Sequence, residues 1–237
     1  MNNLELKIFF SWQMSTLCNK KINNKTFLWS CLEKAVKKLS DKGEFQGVTF
    51  IIDEGLRKEA GDKPVAETCI KKIKECHIYI ADFTIETKFT YLRHWLRKYC
   101  KFDLRSNVNG SVLIEYGHAK ECLGNDGIIL VMNTINGDPS RIIDLLPYDC
   151  RQNRNPILFE INKTKFTETE KNSQKYRDFQ EKKQKLIDEL SGAIKLAARS
   201  AIKNIYITIF NLLLVAKKLS MSLAIEQILN GQLILSR

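Results

Sequence analysis

The chain has 237 residues, 44% of them hydrophobic and 27% charged, with a formal net charge of +11. That is enough for one ordinary domain with a packed core plus an extension, and it excludes an intrinsically disordered polypeptide. The positive balance favours anionic partners. However, the lysines are spread among acidic residues and gather in no arm, so they read first as solvated helix faces, and nucleic-acid binding is not expected.

Residues 6–10 form a short apolar run with β-branched and aromatic character, the pattern of a buried strand. After a polar loop, residues 26–39 carry Phe27, Leu28, Cys31, Leu32, Ala35, Val36 and Leu39 on one helical stripe, closed by Lys42-Gly43. A second strand is expected over 48–52, with Asp53 at its end. Pro64 suits the first turn of the next helix, whose apolar face is Val65, Cys69, Ile70 and Ile73. A third strand over 77–81 ends at Asp82.

Residues 84–107 break this rhythm, with Phe89, Tyr91, Trp95 and Tyr99 set among Arg and Lys. The segment reads equally as a functional lid or as a peripheral helix packed on the body. A helix is predicted over 111–123, a strongly apolar strand over 127–132, a polar turn over 147–153 and a fifth strand over 157–161. A charged amphipathic helix then follows over 167–200. The alternation of strands and helices predicts an α/β fold, flavodoxin-like or TIR-like, with a mainly parallel five-stranded sheet covered on both faces and a C-terminal helical extension. The expected domains are residues 1–163, which bind nucleotide, and the helical residues 164–237.

The seven cysteines, Cys18, Cys31, Cys69, Cys76, Cys100, Cys122 and Cys150, form no CxxC pair and mostly fall in apolar patterns. They read as reduced thiols of a cytoplasmic protein. His77, His94 and His118 lack ligand spacing, so no metal site is expected. No signal peptide is read at the start of the chain. The apolar run 205–216, interrupted by Thr208 and Asn211, is too short to cross a bilayer, and no membrane span is expected.

In a parallel sheet of this kind ligands bind beyond the carboxyl ends of the strands. Ser11, Trp12, Gln13, Asp53, Asp82 and Asn133 all fall just past predicted strand ends, which puts them around one crevice. Trp12 suits stacking on a base as well as it suits the core. Asp53 and Asp82 suit ribose hydroxyls as well as they suit caps after a strand.

Glu115 stands near the start of a helix among Leu113, Ile114 and Tyr116. A carboxylate on an apolar face is costly unless it is paired or used, and a helix N-terminus favours its charge. It reads as a capping-type residue or as a reactive one. Gly117 in a helix interior asks for a reason such as close approach of a ligand or strand. Asn109-Gly110 suits a turn whose N–H groups face an anion. One carboxylate among hydrogen-bonding groups suits attack at a ribose C1′, where an oxocarbenium-like state forms. The chain contains no GxGxxG, no GxxxxGK[ST] and no hydrolase triad spacing, which argues against an ordinary dehydrogenase, a P-loop NTPase and an α/β-hydrolase.

Several segments together resemble a bacterial TIR-like family. Lys7-Ile8-Phe9-Phe10-Ser11-Trp12-Gln13 is similar to its opening strand and loop, and His77-Ile78-Tyr79-Ile80-Ala81-Asp82-Phe83-Thr84 to its third strand. Asn109-Gly110-Ser111-Val112-Leu113-Ile114-Glu115-Tyr116-Gly117-His118-Ala119 resembles its "NpNVliElGyA" helix start. Ile128-Ile129-Leu130-Val131-Met132-Asn133 and Leu146-Pro147-Tyr148-Asp149 resemble the blocks that follow. The likeness spans about residues 5–161.

The resemblance implies an NAD⁺ glycohydrolase, possible in bacterial defence, with Glu115 catalytic. Phe10, Ser11, Trp12, Gln13, Asp53, Asp82, Asn109, Ser111, Gly117 and His118 would bind the nucleotide. NAD⁺ would be the substrate, no cofactor would be needed, and a homo-oligomer would form on activation. Ser111 stands where the family has a second Asn, Met14-Ser15 where it has Ser-Asp, and Tyr116 and His118 where it has an aliphatic-then-aromatic pair. A nucleotide-binding scaffold without turnover is the alternative. The nucleoside 2-deoxyribosyltransferases, whose "ElG" helix is similar, supply a third reading with the same C1′ chemistry.

Overall fold

The computed structural model describes residues 3–13, 24–55, 64–85, 99, 108–140, 146, 150, 155–162, 164 and 166–235. Five strands form one sheet: β1 (Leu4–Ser11), β2 (Val48–Asp53), β3 (Ile78–Asp82), β4 (Ile128–Asn133) and β5 (Ile157–Phe159). All neighbours are parallel, in the order β2-β1-β3-β4-β5. Parallel strands covered on both faces read as near-continuous apolar runs, and Leu6, Ile8, Phe9 and Phe10 of β1 are all buried.

Side chains alternate between the two faces of the sheet. On one face, Phe9 stacks on its register partner Tyr79, with ring centroids 6.1 Å apart. There α2 (Val65–Glu75) and α3 (Gly110–Leu123) close a core that includes Cys69, Ile73, Ala81, Val112, Tyr116, Ala119 and Leu130. On the other face α1 (Asn24–Asp41) buries Phe27, Leu28, Cys31, Leu32, Ala35 and Leu39. Full burial of each of Phe27, Leu28, Leu32 and Leu39 contributes about 1.5–3 kcal/mol.

The last helix, α4 (Gln174–Leu235), is continuous over 62 residues, whereas the sequence pattern suggested a helix over 167–200 and a separate apolar tail. The chain divides into two compact units at Ala198/Arg199, well past the expected boundary at 163/164. The reason is packing. Leu186, Ile187, Leu190, Ile194, Ala197 and Ala198 are buried in the first unit. There Phe179 meets Phe27 at 5.9 Å, Lys38 pairs with Asp188 at 2.5 Å, and Lys195 pairs with Glu44 at 2.6 Å.

The second unit, residues 199–237, is helical through Leu235 and exposes its large apolar side chains from Tyr206 to Met221. Among the described residues, α4 is the one helix long and apolar enough to cross a membrane by length and composition. The interval 84–107, with Phe89, Tyr91 and Trp95, lies outside the described residues except for Thr84, Ile85 and the exposed Tyr99, and so does most of the turn at 147–153. Among the described residues five cysteines are free thiols; Cys18 and Cys100 lie outside them.

Candidate functional site

The strand order reverses at β1, because the chain steps outward to β2 and returns to place β3 on the other side of β1. Such a switch point opens a crevice at the carboxyl ends of the two central strands. Ser11 is the last residue of β1, and Glu115 lies on α3 beside it. The Ser11 hydroxyl donates to the Glu115 Oε2 at 2.5 Å.

Helix α3 is held in place by its own start. Asn109 is the N-cap, its side chain accepting from the Ser111 N–H at 2.9 Å. The Asn109 N–H donates in turn to Gln13 Oε1 at 3.3 Å, and Gln13 Nε2 donates to the Thr84 carbonyl. Buried Gln13 therefore ties the exit of β1 to the exit of β3 and to the cap of α3.

Glu115 is surrounded by neutral donors. Besides Ser11, the Cys69 thiol on α2 and the buried Tyr79 hydroxyl, which donates to the Val112 carbonyl at 3.4 Å, interact with it. Among the described residues Glu115 forms no ion pair. Burial raises its pKa, with the hydrogen bonds from Ser11 and Cys69 opposing that rise. The neighbouring Cys69 thiol is pushed up to about 11, by burial first and by the Glu115 charge second, so it is a proton donor and not a thiolate. The result is a carboxylate oriented by Ser11 and beside the Cys69 thiol, with no ion pair among the described residues, at the end of β1.

The other expected residues divide into those near this pair and those elsewhere. Asn109 and Ser111 belong to the α3 cap. His118 is half-buried one turn further along α3. Trp12 is half-buried, and Lys25 Nζ sits 3.5 Å from its ring centroid and pairs with the buried Glu54 at 3.0 Å. One face expected to stack a base is thus occupied by a cation.

Phe10 is buried in the α1-side core against Trp29, at 6.3 Å between centroids, and does not face the crevice. Asp82 does not face it either. Ser11 is in register with Ala81, so the next residue along β3 projects through the opposite face of the sheet. There Asp82 is fully buried and accepts from the Thr84 N–H at 3.0 Å and from the Thr84 hydroxyl. Asn24 Nδ2 donates to Thr84 Oγ1 at 3.2 Å, and Asn133 Nδ2 donates to Asn24 Oδ1 at 3.1 Å and to the Ile161 carbonyl at 2.9 Å. This polar knot stitches three strand ends together, and Asn133 belongs to it.

Asp53 is paired with Lys72 at 3.1 Å and lines a hollow of about 530 Å³ between β1, β2 and α2, which Glu115 does not line. Gly117 is exposed, and nothing lies within 4 Å of the Cβ it lacks, so close packing does not explain it. Among the described residues no group of three or more His, Cys, Asp or Glu side chains converges as a metal site would require. His77 Nδ1 serves the backbone, accepting from the Lys7 N–H at 3.0 Å.

No family model matches the sequence, and no curated protein matches it. Two solved structures are similar in outline. One is a flavodoxin-like domain from Synechococcus sp., with 9% identity, covering 81% of this chain and 99% of that one at a TM-score of 0.38. The other is the TIR domains of the activated Roq1 resistosome that directly recognises the pathogen effector XopQ, with 15% identity, covering 84% of this chain and 99% of that one at a TM-score of 0.31.

Proposed function

We propose that the chain is a TIR-like NAD⁺ glycohydrolase in which Glu115 acts at the ribose C1′. The observation that carries this reading is the Ser11–Glu115 pair at the switch point of the sheet, with the Ser11 hydroxyl donating to the carboxylate. In the reaction the bond between C1′ and the nicotinamide nitrogen breaks, and its electron pair neutralises the pyridinium. Positive charge then develops on the ribose. An ionised Glu115 stabilises that charge or traps C1′ covalently, and water completes hydrolysis to ADP-ribose with loss of a proton. The N-terminal N–H groups of α3 would face an anionic phosphate. An activity that rises with protein concentration is expected if assembly switches the enzyme on.

The test is nicotinamide release from NAD⁺ by purified protein. Glu115→Ala should lose at least about a hundredfold of the wild-type rate. Equal release by both proteins removes Glu115 from the mechanism.

One observation favours the second reading, a nucleotide-binding module without turnover. Lys25 covers Trp12, and both Ser11 and Cys69 already engage Glu115. That reading expects thermal stabilisation by NAD⁺ with no nicotinamide released. A nucleoside deoxyribosyltransferase would instead exchange bases on a deoxynucleoside.

A further inference from the structure

The second unit carries a surface unlike any among the described residues of the first. From Tyr206 to Met221 its large apolar side chains are exposed, from 43% at Leu214 to 66% at Tyr206. They do not form one stripe. At 3.6 residues per turn, Ile207 and Leu214 lie on one flank and Ile209 and Leu212 on the opposite one. Asn204, Thr208, Asn211 and Ser222 fall in a narrow line between them, and Ser220 lies on the other side of the helix.

A second helix or a groove would cover one face of such a helix, whereas lipid covers all of it. An 18-residue window of α4 has a mean hydropathy of 1.4 with at most two charged residues, and none of it is buried, so packing as a core helix does not account for it.

The charges fit the same surroundings. Arg199 and Lys203 precede the apolar run, Lys217 and Lys218 follow it, and Glu226 is the one acidic residue in 199–235. Basic residues beside an apolar segment attract anionic headgroups. From Lys203 to Lys217 the helix rises about 21 Å, short of the roughly 30 Å of a bilayer's hydrocarbon. Lysine stems that snorkel at both ends, with local thinning of the bilayer, make up such a difference.

We infer that residues 205–216 insert into the apolar layer of an anionic lipid bilayer, with Arg199, Lys203, Lys217 and Lys218 at its headgroups. The inference is independent of the catalytic reading of Glu115. To test it, the full chain is synthesised in the presence of vesicles of phosphatidylcholine alone or mixed with phosphatidylglycerol, and the vesicles are floated on a density gradient. Wild-type protein is expected to float with the vesicles, more with the mixed ones. The double substitution Leu212→Asp/Leu213→Asp should reduce the floated fraction at least about tenfold. Lys217→Glu/Lys218→Glu should remove the preference for anionic lipid. Both pairs are exposed, so the fold of the first unit does not depend on them. Wild-type protein that stays at the bottom overturns the inference, whether monomeric or as a defined oligomer whose second copy covers the helix. Equal flotation of wild type and the Leu212→Asp/Leu213→Asp variant overturns it as well.

Discussion

Asp82 shows how a strand's alternation decides a residue's role. It ends β3 one position past the residue in register with Ser11, and that single step carries it to the opposite face. Full burial pushes its pKa from 3.8 up to about 6, against the opposing hydrogen bonds from Thr84 and Asn24. A folded-state pKa above the unfolded one means the contribution to stability is complete below the unfolded value and is lost as pH rises through the folded one. Wild-type protein should therefore lose about 3 kcal/mol of unfolding free energy between about pH 4 and pH 7 that the Asp82→Asn variant does not lose. Urea denaturation of both proteins across that range measures the difference, and parallel curves would contradict the assignment.

Ser11 has a separate signature. Its hydroxyl bond favours the ionised form of Glu115, so Ser11→Ala should raise the pKa of Glu115 further. The acid limb of the pH profile of nicotinamide release should move to higher pH while the alkaline limb stays in place. An unmoved acid limb would show that Ser11 does not act through Glu115.

At the scale of elements, the five strands and the helices that cover them were legible from apolar runs and 3.6-residue stripes. Predicted limits fall within a residue or two of those found for β1 to β4, α1 and α3; β5 is shorter, ending at Phe159. The Ser11–Glu115 pairing was legible only through the rule that ligands meet strand ends. That same rule drew in Asp82, which takes the opposite face of the sheet, because proximity to a strand end does not state which face a side chain takes. Cys69 gave no signal, since it looks like any apolar residue of the α2 stripe. Asn24 was hidden at the edge of an apparent loop, and its value lies in the Asp82–Thr84–Asn133 knot, a set of contacts distant in sequence.

The extent of α4 was missed for a different reason. Its charge pattern changes near residue 200, and residues 204–211 are weaker helix formers, so a change of surroundings looked like the end of an element. The two parts of α4 should respond differently to truncation. Leu190→Ala, in the buried part, should cost the first unit about 2–5 kcal/mol. Leu213→Ala, on the exposed part, should change its unfolding free energy by less than about 0.5 kcal/mol. Equal effects in chemical denaturation would contradict the division at Ala198/Arg199.

At the scale of the whole molecule, the first unit places one carboxylate at the reversal of strand order, steadied by Ser11 and without an ion pair among the described residues. The proposed chemistry follows from that placement: a substrate whose bond breaks to leave positive charge on a ribose would find there an anion held in position. The most direct test follows the products formed from NAD⁺ by NMR, using equal concentrations of wild-type and Glu115→Gln protein whose folds are matched by circular dichroism. Free nicotinamide and ADP-ribose appearing with the wild type, and at least about a hundredfold more slowly with the variant, is the predicted result. Nicotinamide released equally by both proteins, or by neither in either monomeric or assembled samples, would contradict the account.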